Sequence, residues 1–320
     1  MLKNAKILVT GGAGFIGSNL ILKLLSTGNK VRATIHEESP KVLEPSIEFI
    51  HCDLTKMEDC TRMVQGMDYV FLCAANTSGA AVMRANPLAH VTPNVVMNAQ
   101  MLAAAYEARV KKVLFISSSA AYPPTDDRPV KEDEMFGGDP YEVYYSVGWM
   151  KRYAEILCKI YSQKIKNPMP VVVVRPSNAY GPYDKFDSGK SHVTAALIQK
   201  VVLRNDPIEV WGTGDDQRDL IYIDDLIDGM IKAMEKDEVY NAYNIAGGKI
   251  YSVKGILNTV IKLDKYQDAK IVFDPSKPTT IPTRVIDTAK AEEMLDFKPK
   301  IGLEEGLQRT IDWYKQTFPK

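Results

Sequence analysis

Two patterns alternate through the first half of the chain. The short runs "KILVT", "KVRATI", "IEFIHC", "YVFLCAA", "KVLFISS" and "PVVVVRP" are rich in β-branched and apolar residues and read as buried strands. Between them, "GSNLILKLLSTG", "KMEDCTRMVQGM", "VVMNAQMLAAAYEARV" and "WMKRYAEILCKIYSQKI" read as helices. Strands alternating with helices predict an α/β fold with a doubly wound parallel sheet. After Arg175 the alternation loosens and Gly and Pro become frequent. There "SHVTAALIQKVVL" and "LEEGLQRTIDWYKQ" read as helices outside the main repeat. We expect a main domain over residues 1–177, with return segments near 214–248 where the chain crosses back into the sheet around "LIYIDD". Residues 178–213 and 249–320 are expected to form a smaller C-terminal lobe.

Composition narrows the function classes. The chain has 320 residues, enough for one large α/β domain or two coupled ones. Forty basic residues balance forty acidic ones, so nothing points to a nucleic-acid or membrane partner held by bulk charge. No apolar run approaches the length of a membrane span. "MLKNAK" leads straight into a strand pattern, so no signal peptide and a cytoplasmic location are expected. Cys52, Cys60, Cys73 and Cys158 lack zinc spacing, which predicts reduced thiols and no metal.

Candidate chemistry begins at "VTGGAGFIGSNL". Gly11, Gly14 and Gly17 lie between the first strand and the first helix. Glycine there lets the turn close and lets backbone approach a pyrophosphate at the helix N-terminus. A tight turn alone also needs glycine, but this triplet follows the first strand of a βαβ unit, as a Rossmann dinucleotide loop does. Asp53, after the third strand, is placed to accept from an adenine amine, to cap the next helix, or both. At the end of the second strand, Ile35 stands where an acid often binds the ribose 2′-hydroxyl, followed by His36, Glu37 and Glu38. Two carboxylates would repel a 2′-phosphate, which predicts NAD over NADP.

Nearly the whole chain resembles the extended short-chain dehydrogenase/reductases, the nucleotide-sugar epimerase/dehydratase group. The resemblance is carried, in order, by "TGGAGFIG", "DL" at 53–54, "CAA" at 73–75, "SSSAAYP", "RPSNAYGPYDKFD", "WGTGDDQRDLIYIDDL" and "TRVIDTAKAEEMLDFKPK". "YGPYDKFD…KSHV" and "NTSGAAV" look most like enzymes on GDP-sugars, GDP-fucose synthase and GDP-mannose 3,5-epimerase. The resemblance adds Phe15, Ile16, His36, Leu54, Ala74, Ala75, Lys151 and Pro176 to the NAD site. It implies a nucleotide sugar held by Ser119, Asn178, His192, Arg218 and Arg284, the two arginines clamping the diphosphate. A surface ion pair, for example Arg218 with Asp224 or Asp225, is the plainer alternative. A homodimer or homotetramer paired through "VVMNAQMLAAAYEARV" and "WMKRYAEILCKIY" is also implied, as is a place in polysaccharide biosynthesis.

The family's chemistry uses a tyrosine to take the sugar hydroxyl proton, a lysine four residues later, and a serine or threonine on the same oxygen. Ser118, four before Tyr122, matches the hydroxyl. A serine satisfying backbone groups at a strand end is the alternative. Glu155 in "EILCKIY" identifies Lys151 as the family lysine, which leaves Val147 at the tyrosine position. Three readings stay open. Tyr144 or Tyr145 substitutes: on a helix Tyr145 at i−6 points away, while Tyr144 at i−7 shares the face of Lys151 but lies roughly 10 Å up the axis, so it reaches only from a bent, non-helical approach. Alternatively another base or water serves, or activity is lost. A second departure is Ala120, where both named enzymes carry an acid/base cysteine, and this argues against 3,5-epimerisation. The expected function is NAD-dependent hydride transfer at C4 of a GDP-linked hexose or heptose, as a 4-dehydrogenase or 4-keto reductase. A 4-epimerase or 4,6-dehydratase and a non-enzymatic dinucleotide sensor are the rivals. Ala120–Ala121 offers no acid/base pair for dehydration.

Overall fold

The structure is a computed structural model that describes residues 2–77, 86, 88–125, 127–186, 191–236, 239–277 and 279–319. Its strands are β1 (Lys6–Thr10), β2 (Lys30–Ile35), β3 (Glu48–His51), β4 (Tyr69–Leu72), β5 (Lys112–Ile116), β6 (Val171–Pro176), β7 (Asn178–Tyr180), β8 (Ile208–Trp211), β9 (Gln217–Tyr222), β10 (Tyr240–Ile245), β11 (Ile250–Ser252) and β12 (Ile271–Asp274). The helices are α1 (Phe15–Ser26), α2 (Met57–Val64), α3 (Leu88–Glu107), α4 (Tyr145–Gln163), α5 (Val193–Val202), α6 (Ile223–Glu235), α7 (Val253–Leu263), α8 (Ala289–Leu295) and α9 (Leu303–Thr317).

Seven strands form one parallel sheet in the order β10-β6-β5-β4-β1-β2-β3. This is the doubly wound Rossmann arrangement, and its order reverses beside β1. Helices cover both faces, so its central strands are apolar throughout; Val171 to Val174 of β6 are all buried. One core packs Leu8, Val70, Phe115 and Val173 against residues of α2, α3 and α4. The other runs from Ile7 and Val9 through α1, α5, α6, α7 and α9 without a break, so the sheet and the C-terminal lobe share apolar packing. Two small sheets, β11-β9-β7 and β12-β8, frame that lobe.

Two elements differ from the sequence pattern. "LIYIDD" does not enter the main sheet: it ends β9, in the β11-β9-β7 sheet, and starts α6. The returning strand is β10, "YNAYNI", which pairs with β6 at the sheet edge. Its polar positions hid it. Asn244 is fully buried but satisfied by Tyr122, Val130 and Asp287, long-range partners that a local pattern does not reveal. The second is α3, which starts at Leu88 rather than Val95 and contains Pro93. A proline inside a helix frees the carbonyl four residues back. Here that carbonyl, of Ala89, accepts from Asn76 Nδ2 at 3.2 Å.

Candidate active site

The glycine loop joins β1 to α1. Gly11 has φ +69°, and a Cβ there would lie 2.8 Å from the Ala74 Cα. A Cβ on Gly17 would lie 2.2 Å from the Gly11 carbonyl oxygen. Threonines hold the loop: Gly11 N–H donates to Thr34 Oγ1 at 2.9 Å, and the Cys73 and Ala74 N–H groups both donate to Thr10 Oγ1 at 3.0 Å. These two threonines are missing from the sequence-based site, although Thr10 directly precedes the glycines. Gly14 caps α1 with no side-chain acceptor and no acid in the first turn. The first-turn amides, including those of Phe15 and Ile16, are therefore left for an anion, and a pyrophosphate fits this cradle.

The rest of the expected cofactor set lies along the C-terminal ends of the strands. His36 is exposed just past β2, its ring 6.0 Å from that of His51. Asp53 does not cap α2, whose cap position is Lys56. Its Oδ1 instead accepts from Thr55 N–H (3.0 Å) and Oγ1 (2.6 Å), and these bonds hold its carboxyl below the usual range. Leu54 is buried, Ala74 and Ala75 follow β4, and Pro176 ends β6.

Lys151, on α4, reaches the end of β5. Its Nζ donates to the Ile116 carbonyl at 2.8 Å and lies 5.0 Å from the centre of the Phe115 ring. Burial pushes its pKa down to about 8, against the opposing pull of Glu155. Val147 is half-buried one turn earlier on the same helix. Ser118 Oγ accepts from Ala120 N–H at 3.1 Å and caps the short 3-10 turn Ser119–Ala121; Ser119 is buried. The backbone-satisfying reading of Ser118 thus holds for one of its lone pairs. The start of α4 abuts this turn, since a Cβ on Gly148 would come 2.5 Å from Pro140 and 3.4 Å from the Ala120 carbonyl oxygen.

Tyr144 ends a separate 3-10 turn, Glu142–Tyr144, with φ −99° and ψ 4°, and Tyr145 starts α4 and is exposed. Tyr144 therefore enters from a 3-10 turn rather than from α4 itself. The phenol lies within electrostatic reach of the Arg284 guanidinium.

In the lobe, Asn178 is exposed and its Nδ2 donates to the Asp219 carbonyl at 3.0 Å. Burial pushes the Asp219 carboxyl up to about 6. His192 sits at the N-cap of α5, its Nδ1 3.0 Å from Asp184 Oδ1, and that carboxylate holds the imidazole above the usual histidine range. Arg218 is buried. It donates to the carbonyls of Gln217 (2.8 Å) and Ile281 (2.9 Å), to Thr280 Oγ1 (2.9 Å) and to Asp216 Oδ2 (3.1 Å). Its ion-pair partner is thus Asp216, not Asp224 or Asp225. Asp224 faces Arg309, and Asp225 accepts from the Lys300 and Ile301 amides. Arg284 donates to the carbonyls of Pro123 (2.6 Å) and Tyr122 (3.1 Å), while its buried Nε has no partner. Burial pushes Arg284 down to about 10, still charged at neutral pH. Residues 78–82 of "NTSGAAV", and Asp187 and Lys190 of the "YGPYDKFD…KSHV" motif, lie outside the described residues.

A buried polar network supports both arms of the site, and in the sequence two of its members, Glu155 and Tyr122, served only as register markers. Arg175 donates to both oxygens of Glu155 (3.0 and 2.6 Å) and to Tyr122 Oη (2.8 Å), which donates to Asn244 Oδ1 at 2.7 Å. It ties α4, the Ser118–Tyr122 segment and β10 together. Among the described residues no helix is long and apolar enough to cross a membrane, and no metal-ligand cluster occurs.

Residues 7–246 match the family model described as the NAD dependent epimerase/dehydratase family. The chain belongs to this family. Family membership makes it an NAD-dependent enzyme of the nucleotide-sugar group, in accord with the glycine cradle at α1. It is 30% identical to "Probable GDP-L-fucose synthase 1" of Oryza sativa subsp. japonica, over 98% of this chain and 92% of that protein. It is 27% identical to GDP-mannose 3,5-epimerase of Arabidopsis thaliana, over 99% of this chain and 84% of that protein. The crystal structure of UDP-glucose 4-epimerase with UDP-glucose from Thermotoga maritima superposes with a TM-score of 0.88 at 28% identity, covering 98% of this chain and 99% of that one.

Proposed function

We propose that this enzyme exchanges hydride at C4 of the hexose or heptose of a GDP-linked nucleotide sugar, as a 4-dehydrogenase or 4-keto reductase. The observation that carries this reading is the 118–120 turn beside Lys151. It offers the Ser118 hydroxyl to a sugar oxygen, but at position 120 only a methyl group, so the proton traffic of epimerisation beside a ketone has no group there. The similarity to GDP-sugar enzymes over almost the full chain favours GDP. NAD, when bound, takes or returns the hydride. Lys151 holds the nicotinamide ribose and keeps positive potential near the reacting oxygen, which Ser118 binds. Tyr144 takes the hydroxyl proton. Asn178, Arg218 and Arg284 bind the diphosphate, and Ser119 and His192 contact the sugar. The enzyme acts in the cytoplasm as a homodimer or homotetramer, making sugars for polysaccharides.

Calorimetric titration of the NAD-loaded enzyme with GDP and UDP tests the nucleotide. GDP should bind more tightly, and Arg218→Lys or Arg284→Lys should weaken it without changing NAD affinity. Tighter UDP binding would overturn the GDP assignment. The match to UDP-glucose 4-epimerase favours a second reading, a 4-epimerase that recycles its cofactor in place. Interconversion of C4 epimers with no net change in cofactor would select it.

A further inference from the structure

Residues 181–186 connect β7 to the segment that leads into α5, and they are tied to three cofactor-side segments at once. Asn19, on α1 behind the glycine loop, donates from Nδ2 to the Pro182 carbonyl at 3.0 Å. Lys41, beyond the β2 end that faces the adenosine ribose, donates from Nζ to the Tyr183 carbonyl at 3.1 Å. Lys185 Nζ reaches Thr77 Oγ1, just after Ala74–Ala75, at 3.3 Å. Between these ties Tyr183 adopts φ +67°, a left-handed conformation that a bulky residue keeps only when its surroundings impose it. Its ring packs on Trp313 of α9, 5.1 Å between centres. Asp184, buried, anchors the far end: its Oδ1 accepts from Lys185 N–H at 2.7 Å and lies 3.0 Å from His192 Nδ1. Asn178 lies three residues before this segment and His192 six after it. One short stretch of backbone thus runs from one substrate residue to the other and is pinned to the flanks of the glycine loop, the ribose loop and the post-β4 loop.

We propose that residues 181–186 form a coupling strap through which NAD occupancy sets nucleotide-sugar affinity, with Asn19 and Lys41 as the positioning residues. When NAD orders the glycine and ribose loops, the donors of Asn19 and Lys41 become fixed. The strap is then held in its strained form, with Asn178 and His192 in place. Without NAD the ties loosen and the strap relaxes. The coupling is reciprocal, so the nucleotide sugar tightens NAD by the same factor. Lys41 also explains why a basic residue near the ribose need not favour NADP: its ammonium is engaged by the strap. The inference rests on the proposed substrate roles of Asn178 and His192.

The test uses the full-length enzyme with GDP as probe. Saturating NAD should tighten GDP binding by about five-fold or more, the lower end of ordinary coupling between sites. In Lys41→Met, and more fully in Asn19→Leu/Lys41→Met, the ratio should fall toward one while NAD affinity alone changes by less than about two-fold, because the donors of both residues are given to the strap. Lys41→Arg, which restores a donor, should recover the coupling. A ratio of one in the wild type, or an undiminished ratio in the double variant, overturns the proposal. A second measurement needs no sugar nucleotide: NAD alone should slow hydrogen exchange at the Asp184 and Lys185 amides in the wild type but not in the double variant. If GDP fails to bind while this protection appears, the GDP assignment has failed and the strap stands. If NAD leaves strap exchange unchanged in the wild type, the strap is wrong whatever GDP does.

Discussion

Lys151 combines two demands at one residue. The proposed hold on a ribose calls for an ammonium group, yet burial disfavours the charge. The ordinary lysine value of 10.5 falls to about 8 on folding. Between about pH 8 and 10.5 the unfolded chain keeps a proton that the folded chain has lost, so this residue makes the fold more stable as pH rises through that window. Below pH 8 the buried ammonium costs stability. Urea unfolding of wild type and Lys151→Met should therefore show a difference that moves in favour of the wild type as pH is raised from 8 to 10; a flat difference would mean the ammonium remains in water. The proposed base, Tyr144, is tested kinetically. Tyr144→Phe should slow hydride transfer by roughly 10²–10⁴-fold, the share of a general base, with substrate affinity little changed. An unaffected rate would pass the proton to water or another group. At the glycine loop the geometry separates two substitutions. A Cβ on Gly17 meets backbone at 2.2 Å, whereas one on Gly14 meets it at 3.2 Å. Gly17→Ala should cost about 1–3 kcal/mol of stability, as overpacking does. Gly14→Ala should fold normally and lose NAD affinity, and equal stability for the two variants would contradict this.

At the scale of elements, α4 serves two sides. Its inner face carries Lys151, Glu155 and Cys158 toward the sheet. Its outer face carries Tyr145, Trp149, Tyr153, Ile156 and Ile160, each between 39% and 53% exposed. Spacing of three and four residues places them on one stripe. Tyr161 packs against Tyr106 of α3, 5.5 Å between tilted ring centres, so the two helices form one surface. An apolar stripe of this length fits pairing with a second copy. Tyr153→Lys/Ile156→Glu should convert the proposed oligomer to monomers in sedimentation velocity, and a wild type that is monomeric at micromolar concentration would sink the oligomer assignment.

For the whole molecule, the shared core joins the sheet to the lobe, so a ligand bound on the sheet side stabilises both. NAD at a hundred times its dissociation constant should add about 2.7 kcal/mol to stability. Thermal unfolding should remain a single transition that shifts upward, and more with NAD than with NADP at equal concentration. A larger NADP shift would mean that Glu37 and Glu38 do not govern the ribose site.

The buried apolar runs were enough to predict seven parallel-sheet elements less one, because burial on both faces leaves an uninterrupted signature in local sequence. The glycine spacing predicted the dinucleotide cradle for a similar reason: backbone crowding within seven residues admits little else. The order of later motifs carried the family. Tertiary structure alone decided what depends on residues far apart in the chain. It made "YNAYNI" a strand by burying Asn244 against partners at positions 122, 130 and 287. It extended α3 through Pro93 by giving the freed Ala89 carbonyl to Asn76. It set Arg218 against Asp216 and the 280–282 backbone, and it tied Asn19, Lys41 and Thr77 to one six-residue strap. Local pattern reports which side chains avoid water. It does not report which distant donor meets which acceptor, and in this enzyme those pairings position the residues proposed to hold the substrate.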